Sequence, residues 1–177
     1  MARISVSCAG AAPSAKLVRR EGPQQLELFR KTIEVNLTGT FNMMRLAAAG
    51  MQSLNTKSDW ERGVIINTAS IAAFEAQIGQ AACGASKGGV VVMTLPAARE
   101  FLRLAIRIIS IAPGIFAMPM LSGPPQGVQD RLGSSVPFPS RLGNLREYAG
   151  LVMQMIFNAM LNGEDIRLDG ATRMQAI

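Results

Sequence analysis

The sequence predicts an α/β fold in which parallel strands are covered by helices on both faces. Four short apolar runs alternate with three longer segments of helical periodicity, the order that builds a parallel sheet with crossover helices. The runs are continuous, as in Val64-Ile65-Ile66, which marks strands buried on both sides. At 177 residues, with 49% hydrophobic and 17% charged side chains, the chain suits one domain with a real core and not a disordered segment.

The elements follow in order. Ile4 to Cys8 is the first predicted strand and leads into Ala9-Gly10. Gln24 to Leu54 is predicted helical, because Leu28, Phe29, Thr32, Ile33, Asn36, Leu37 and Thr40 recur every three or four residues. Val64 to Thr68 is the second strand. Gln80 to Leu104 is the second helix, rich in Ala and Gly at its start and apolar from Val90 to Leu95. Ile106 to Ala112 is the third strand. Pro113 to Arg141, rich in Pro and Gly, is expected to form a long surface loop or lid. Leu145 to Met160 carries Tyr148, Leu151, Val152, Met155 and Ile156 at helical spacing, and Asp165 to Leu168 closes the sheet. No internal repeat is visible.

Composition narrows the function. Polar residues interrupt every apolar run before 18 residues, so no membrane span is expected. The opening Met-Ala-Arg-Ile-Ser-Val-Ser lacks the pattern of a secretory signal. Histidine is absent, and Cys8 and Cys83 have no metal-site spacing, so neither a metal site nor a histidine-based triad is expected. Reduced thiols and a cytoplasmic location are the matching expectation. The net charge of +6 is scattered along the chain, and one Trp and one Tyr give no base-stacking platform. A nucleic-acid partner is therefore not expected; a small-molecule substrate, attracted if anionic, is.

The chemistry concentrates between Ser70 and Lys87, just after the second strand. Ser70 follows the carboxyl end of a parallel strand, the edge where open α/β sheets bind ligands. Positions 83 and 87 are four apart and share one helix face. A carbonyl reduced by hydride needs a hydrogen-bond donor at its oxygen and a proton for the developing alkoxide. Ser70 could supply the first and Lys87 a neighbouring positive charge. Cys83 could ionise beside a lysine, since a thiol titrates near pH ~8.5. Its sulfur ends one atom past Cβ, however, which is short for direct proton transfer. Each residue also has a plain reading: Cys83 as core filler, Lys87 as a solvated lysine, Ser70 as a cap at the strand end.

Four segments resemble the short-chain dehydrogenase/reductase family. Ser7-Cys8-Ala9-Gly10 resembles its Asn-Asn-Ala-Gly turn, and Val35-Asn36-Leu37-Thr38-Gly39 its water-holding asparagine. Ser70 to Lys87 resembles its serine and Tyr-x-x-x-Lys pair, with Cys83 where the tyrosine stands. Ile111 to Pro119 resembles its Pro-Gly loop, with Met118 at the usual threonine. The run from Gly63 to Glu75 looks most like members acting on 3-hydroxyacyl-CoA or 17β-hydroxysteroids.

The resemblance implies a Rossmann-like, doubly wound parallel sheet and an NAD- or NADP-dependent oxidoreductase of a secondary alcohol or ketone. Its catalytic positions are Asn36, Ser70, Cys83 and Lys87. Its cofactor-binding positions are Ala9, Gly10, Lys87, Pro113, Gly114 and Phe116. Neither G-x-G-x-x-G nor G-x-x-x-x-G-K-[ST] occurs, so residues 1–177 are expected to form one truncated domain, the carboxyl-terminal part of the fold. The alternative is a catalytically inactive family remnant, or an interaction subunit. Either homo-oligomers or hetero-oligomers with an intact relative are expected.

Overall fold

The computed structural model describes residues 2–57, 60–118 and 126–176. Strand β1 (Ile4–Ser7) is followed by a small hairpin, β2 (Val18–Arg19) and β3 (Gly22–Pro23). Helix α1 (Leu26–Ile33) runs through a π-helical turn, Glu34–Thr38, directly into α2 (Gly39–Met51). Then come β4 (Gly63–Thr68), the one-turn α3 (Ala72–Glu75) and the long α4 (Ala81–Phe101). Strand β5 (Ile106–Pro113), α5 (Gln126–Ser134), α6 (Leu145–Phe157) and β6 (Asp165–Leu168) complete the chain.

The four main strands form one parallel sheet in the order β1-β4-β5-β6. Strand residues alternate between its faces. Ile65, Ile106 and Ile108 pack with Met44, Ala48 and Met51 of α2 and with Ala97, Ala98 and Phe101 of α4. Val64, Ile66, Ile109 and Ile111 face the other way, onto Met155 and its neighbours in α6. The two-sided burial expected of the apolar runs is therefore present, and the fold is Rossmann-like. At the edge, Ile4 and Val6 of β1 remain 43% and 40% exposed.

One row breaks the apolar pattern. Ser7, Asn67, Ser110 and Asp165, one from each strand, stand in register on the α2/α4 side. Thr94 of α4 shares a 3.2 Å hydrogen bond with Ser110. Asn67 Oδ1 and Asp165 Oδ1 are buried without a hydrogen-bond partner.

A buried arginine fastens α6 to the sheet. The guanidinium of Arg107 donates to the carbonyls of Met155 (2.8 Å), Ile156 (3.1 Å), Asn158 (3.2 Å) and Leu161 (2.8 Å). It also pairs with Glu61 at 3.3 Å. The end of α6 is thus satisfied by a side chain from the opposite element, where helix carbonyls otherwise lack partners. Its start is closed by a capping box of Asn144 and Glu147.

The structure revises several expectations. The segment predicted helical from Gln24 to Leu54 is helical over the narrower range Leu26–Met51, with a π turn at Glu34–Thr38. Within Pro113 to Arg141, expected to be loop, lies α5; residues 119–125, including Pro119, are outside the described residues. The β2–β3 hairpin had no apolar run to announce it. Ala81–Leu104 is long and apolar enough to cross a membrane by length and composition, a feature that counting interruptions missed. Here 44% of its most apolar window is buried, the share a helix covering a sheet acquires. Pro96 lies inside α4, on an exposed position, where the lost backbone bond faces water.

Candidate active site

The site is built where β1 and β4 end and α4 begins. The π turn matters first, because such turns displace a residue from the regular helical path. Asn36 is fully buried at its centre. Its Oδ1 accepts from the Ala11 N–H at 2.7 Å, and its Nδ2 donates to the Ala11 carbonyl at 2.8 Å and to Ser86 Oγ at 3.0 Å. Asn36 thereby ties the chain after Gly10 to α4. Ala9 and Gly10 lie on the exposed turn that it holds.

Lys87 enters the same place from α4. Its residue is 8% exposed, and Nζ donates to the Thr68 carbonyl at 2.6 Å. A Cβ added at Gly10 would lie 3.7 Å from Lys87 Nζ and 3.5 Å from Asn36 Oδ1. The structure thus brings Gly10, Asn36, Thr68 and Lys87 together. Burial lowers the Lys87 pKa, an effect that charge on the Cys83 or Cys8 sulfur would oppose.

Cys83 is buried one turn before Lys87. Burial raises its pKa above the ordinary thiol value, and the Lys87 charge only partly opposes this. The expectation that the adjacent lysine could ionise this thiol is corrected: desolvation is the larger effect, and the sulfur stays neutral near pH 7.

Ser70 sits at the β4–α3 junction. Its Oγ accepts from the Ala72 N–H at 3.1 Å, which occupies a lone pair and leaves the O–H to donate. The Ala69 N–H donates to the Ile111 carbonyl at 2.7 Å, and the Ile71 N–H to the Pro113 carbonyl at 3.1 Å. Ser70 is therefore held next to the Pro113-Gly114 loop. A Cβ at Gly114 would lie 2.8 Å from Asp169 Cβ, so that glycine permits close passage of the carboxyl-terminal segment. Phe116 is buried, edge-on to Tyr148 with centroids 6.4 Å apart, and Gly143 packs on its ring. Its ring is committed to packing.

Several participants were not singled out by sequence reasoning. Thr68 is the acceptor of Lys87, and Ser86 links Asn36 to α4 by donating on to the Cys83 carbonyl at 2.9 Å. Glu75, at the end of α3, pairs with Arg167 at 2.9 Å and Arg173 at 3.3 Å and accepts from the Met174 N–H. This clamp fastens α3 to the segment after β6, and Arg167 in turn pairs with Asp169 at 2.7 Å. Only the position of Ser86, directly before Lys87, offered a sequence signal.

The family resemblance implies a nicotinamide dinucleotide. A buried ammonium beside an open glycine turn fits a ribose and its neighbouring ring. Among the described residues no glycine-rich strand-to-helix turn is present to take a pyrophosphate.

Comparison with known proteins places these features. A family model described as short chain dehydrogenase matches residues 4–127. The chain is 54% identical over 174 residues to a rat 3-hydroxyacyl-CoA dehydrogenase type-2, covering 97% of this chain and 67% of that protein. It is 36% identical over 149 residues to a human (3R)-3-hydroxyacyl-CoA dehydrogenase, covering 84% and 53%. Among solved structures, a 3-hydroxyacyl-CoA dehydrogenase type-2 from Mycobacterium avium superimposes with a TM-score of 0.94 at 37% identity, over 99% of this chain and 69% of that one. The chain therefore spans about two thirds of the length of these type-2 relatives. It belongs to the short-chain dehydrogenase family.

Proposed function

We propose that the chain carries an NAD(P)-directed oxidoreductase site for a 3-hydroxyacyl-CoA or similar secondary alcohol, impaired at its proton-transfer position. The observation that carries this reading is the Lys87 Nζ–Thr68 carbonyl bond beside Gly10 and Asn36. It keeps a charge buried where a ribose and a substrate oxygen would meet. The dinucleotide, when bound, supplies or accepts the hydride. Ser70 would donate to the substrate oxygen, and Lys87 would hold positive charge near it. Asn36 fixes the turn that borders both. Cys83 offers a neutral, short side chain where proton transfer needs a donor within about 2.6–3.2 Å.

The test uses this chain fused behind the part of an intact relative that it does not match. NADH formation from 3-hydroxybutyryl-CoA is measured with Cys83 present and with Cys83→Tyr. The substituted fusion should turn over about 10²–10⁴ times faster, the usual worth of a proton donor. Equal rates would overturn the assignment of Cys83 as the lesion.

A second reading has its own observation. Helices α2 and α4 leave Phe41, Met43, Leu46, Val92 and Leu95 between 45% and 72% exposed. Such apolar side chains suit a subunit that pairs with another copy or with an intact relative. Sedimentation of the chain alone and mixed with such a relative tests this, and a monomer in both would exclude it.

A further inference from the structure

Tyr148 is the chain's one tyrosine, and it lies on α6, across the sheet from Lys87. Its hydroxyl shares a 2.6 Å hydrogen bond with Thr68 Oγ1. Thr68 Oγ1 also approaches Cys8 Sγ at 3.6 Å, and Cys8 Sγ lies 3.9 Å from the Tyr148 hydroxyl. Thr68 is the last residue of β4, and the peptide that follows it is held by the Ala69 N–H bond to the Ile111 carbonyl at 2.7 Å. Its side chain points to the α6 face, as the alternation from Val64 and Ile66 requires, while its carbonyl turns to Lys87.

We infer that Tyr148 and Thr68 form a positioning pair for Lys87: the phenol anchors the Thr68 side chain and so keeps the Thr68 carbonyl aimed at Nζ. This deepens the reading above, because it takes Lys87 as the charge of the site. The physical need is plain. An ammonium held away from water requires an acceptor in fixed geometry: the Ala69 N–H bond to Ile111 sets one side of the Thr68 peptide, and the Tyr148 hydroxyl sets the Thr68 side chain on the other face. Tyr148 is itself secured, since its ring packs edge-on to the buried Phe116. Burial raises the phenol's pKa well above its ordinary value, so it stays protonated and can donate throughout the usable pH range. The positioning pair thus joins helices on opposite faces through a single residue.

Other groups that bear on Lys87 are the thiols of Cys83, on its own helix, and Cys8, at the end of β1. Charge on either sulfur would favour the ammonium, and Tyr148→Phe and Thr68→Val both remove a contact to Cys8 Sγ, so all variants are compared in a Cys8→Ala background. Losing the aligned carbonyl while Lys87 remains buried removes a hydrogen bond to the charged form, which lowers its pKa further.

The experiment follows the Lys87 side chain by NMR through a pH titration, with lysine selectively labelled with carbon-13. The chain has four lysines, Lys16, Lys31, Lys57 and Lys87, so the signals are few enough to assign by substitution. Tyr148→Phe removes only the hydroxyl and should lower the Lys87 midpoint by about one pH unit, a tenfold change in its ionisation constant. Thr68→Val should do the same by an independent route, and Thr68→Ser, which keeps the hydroxyl, should titrate like the Cys8→Ala chain. Melting temperature is recorded in parallel. If both hydroxyl deletions leave the midpoint unchanged or raised, whatever they do to melting, the positioning role is refuted. Because the readout needs neither cofactor nor turnover, its failure is distinct from failure of the proposed activity.

Discussion

Asn36 donates from Nδ2 to Ser86 Oγ at 3.0 Å, and Ser86 Oγ donates onward to the Cys83 carbonyl at 2.9 Å. The π turn and the first turn of α4 are thereby stitched together at the level of the exchanged residue. With the two bonds to Ala11, the Asn36 amide also carries the turn after β1. Replacing it should cost stability before it costs any chemistry.

Asn36→Leu removes all three side-chain bonds and should destabilise the chain by about 2–3 kcal/mol. Asn36→Asp keeps an acceptor for the Ala11 N–H but loses both donated bonds, and should fall between the two. Urea midpoints measure both. An Asn36→Leu midpoint equal to native would mean that the buried amide contributes nothing.

Arg107→Met should be more damaging, by about 3–5 kcal/mol. It removes the guanidinium bonds to four carbonyls at and beyond the end of α6, of which Asn158 alone keeps the Leu161 N–H, and leaves Glu61 without its partner. Arg107→Lys should recover little, because an ammonium cannot spread donors over four carbonyls as a planar fork can. Hydrogen exchange should show the α6 end loosened first.

Acid should act on stability with two opposite signs. Arg141 and the Asn144 N–H depress the Glu147 pKa to about 2, so its contribution is complete above the ordinary carboxylate range and fades as pH falls toward 2. Asp165 behaves in reverse. Burial raises its pKa to about 6, so the protonated form favours folding below about pH 4, and that benefit is lost as pH rises through 6. Asp165→Asn should flatten the dependence of the urea midpoint between pH 4 and 6. Glu147→Gln should flatten it only below about 4.5.

The two thiols should separate cleanly toward an aromatic disulfide reagent at pH 7. Cys8 is exposed, while Cys83 is buried with its pKa raised. Cys8 should react at once and Cys83 only on unfolding. Mass spectrometry of the labelled peptides reads the result, and early labelling of Cys83 would show an ionised, accessible thiol.

The four strands and α4 were legible because their signals are local: β-branched residues run together in Val64–Ile66 and recur through Ile4–Val6, Ile106–Ile111 and Ile166, and small residues are followed by valines. Cys83 and Lys87 stood out as a four-residue spacing on one helix face, whereas Asn36 and Ser70 were picked out through the resemblance. What escaped depends on partners distant in sequence. Arg107 reads as an interruption of an apolar strand until α6 lays its carbonyls beside it. Tyr148 looks like one more half-apolar helix residue until Thr68 is found across 80 positions. The π turn was hidden because residues on either side keep helical periodicity. Helix α5 was masked by the Pro and Gly around it.

The polar row through Ser7, Asn67, Ser110 and Asp165 has a consequence for how the chain finds its alignment. In a sheet covered on both sides, sliding one strand leaves valines and isoleucines buried wherever they land, so hydrophobicity barely separates the true pairing from its neighbours. A two-residue slide of β5 would set Asn67 against Ile108 or Ala112 and carry Ser110 Oγ away from its 3.2 Å bond with Thr94, at a cost of about 0.5–1.5 kcal/mol. The row therefore works as an alignment mark, with the Ser110–Thr94 bond favouring the native pairing over its neighbours. Ser7→Val, Asn67→Val and Ser110→Val combined should yield a sheet that is apolar throughout yet populates several registers, visible as multiplied amide resonances from β4 and β5.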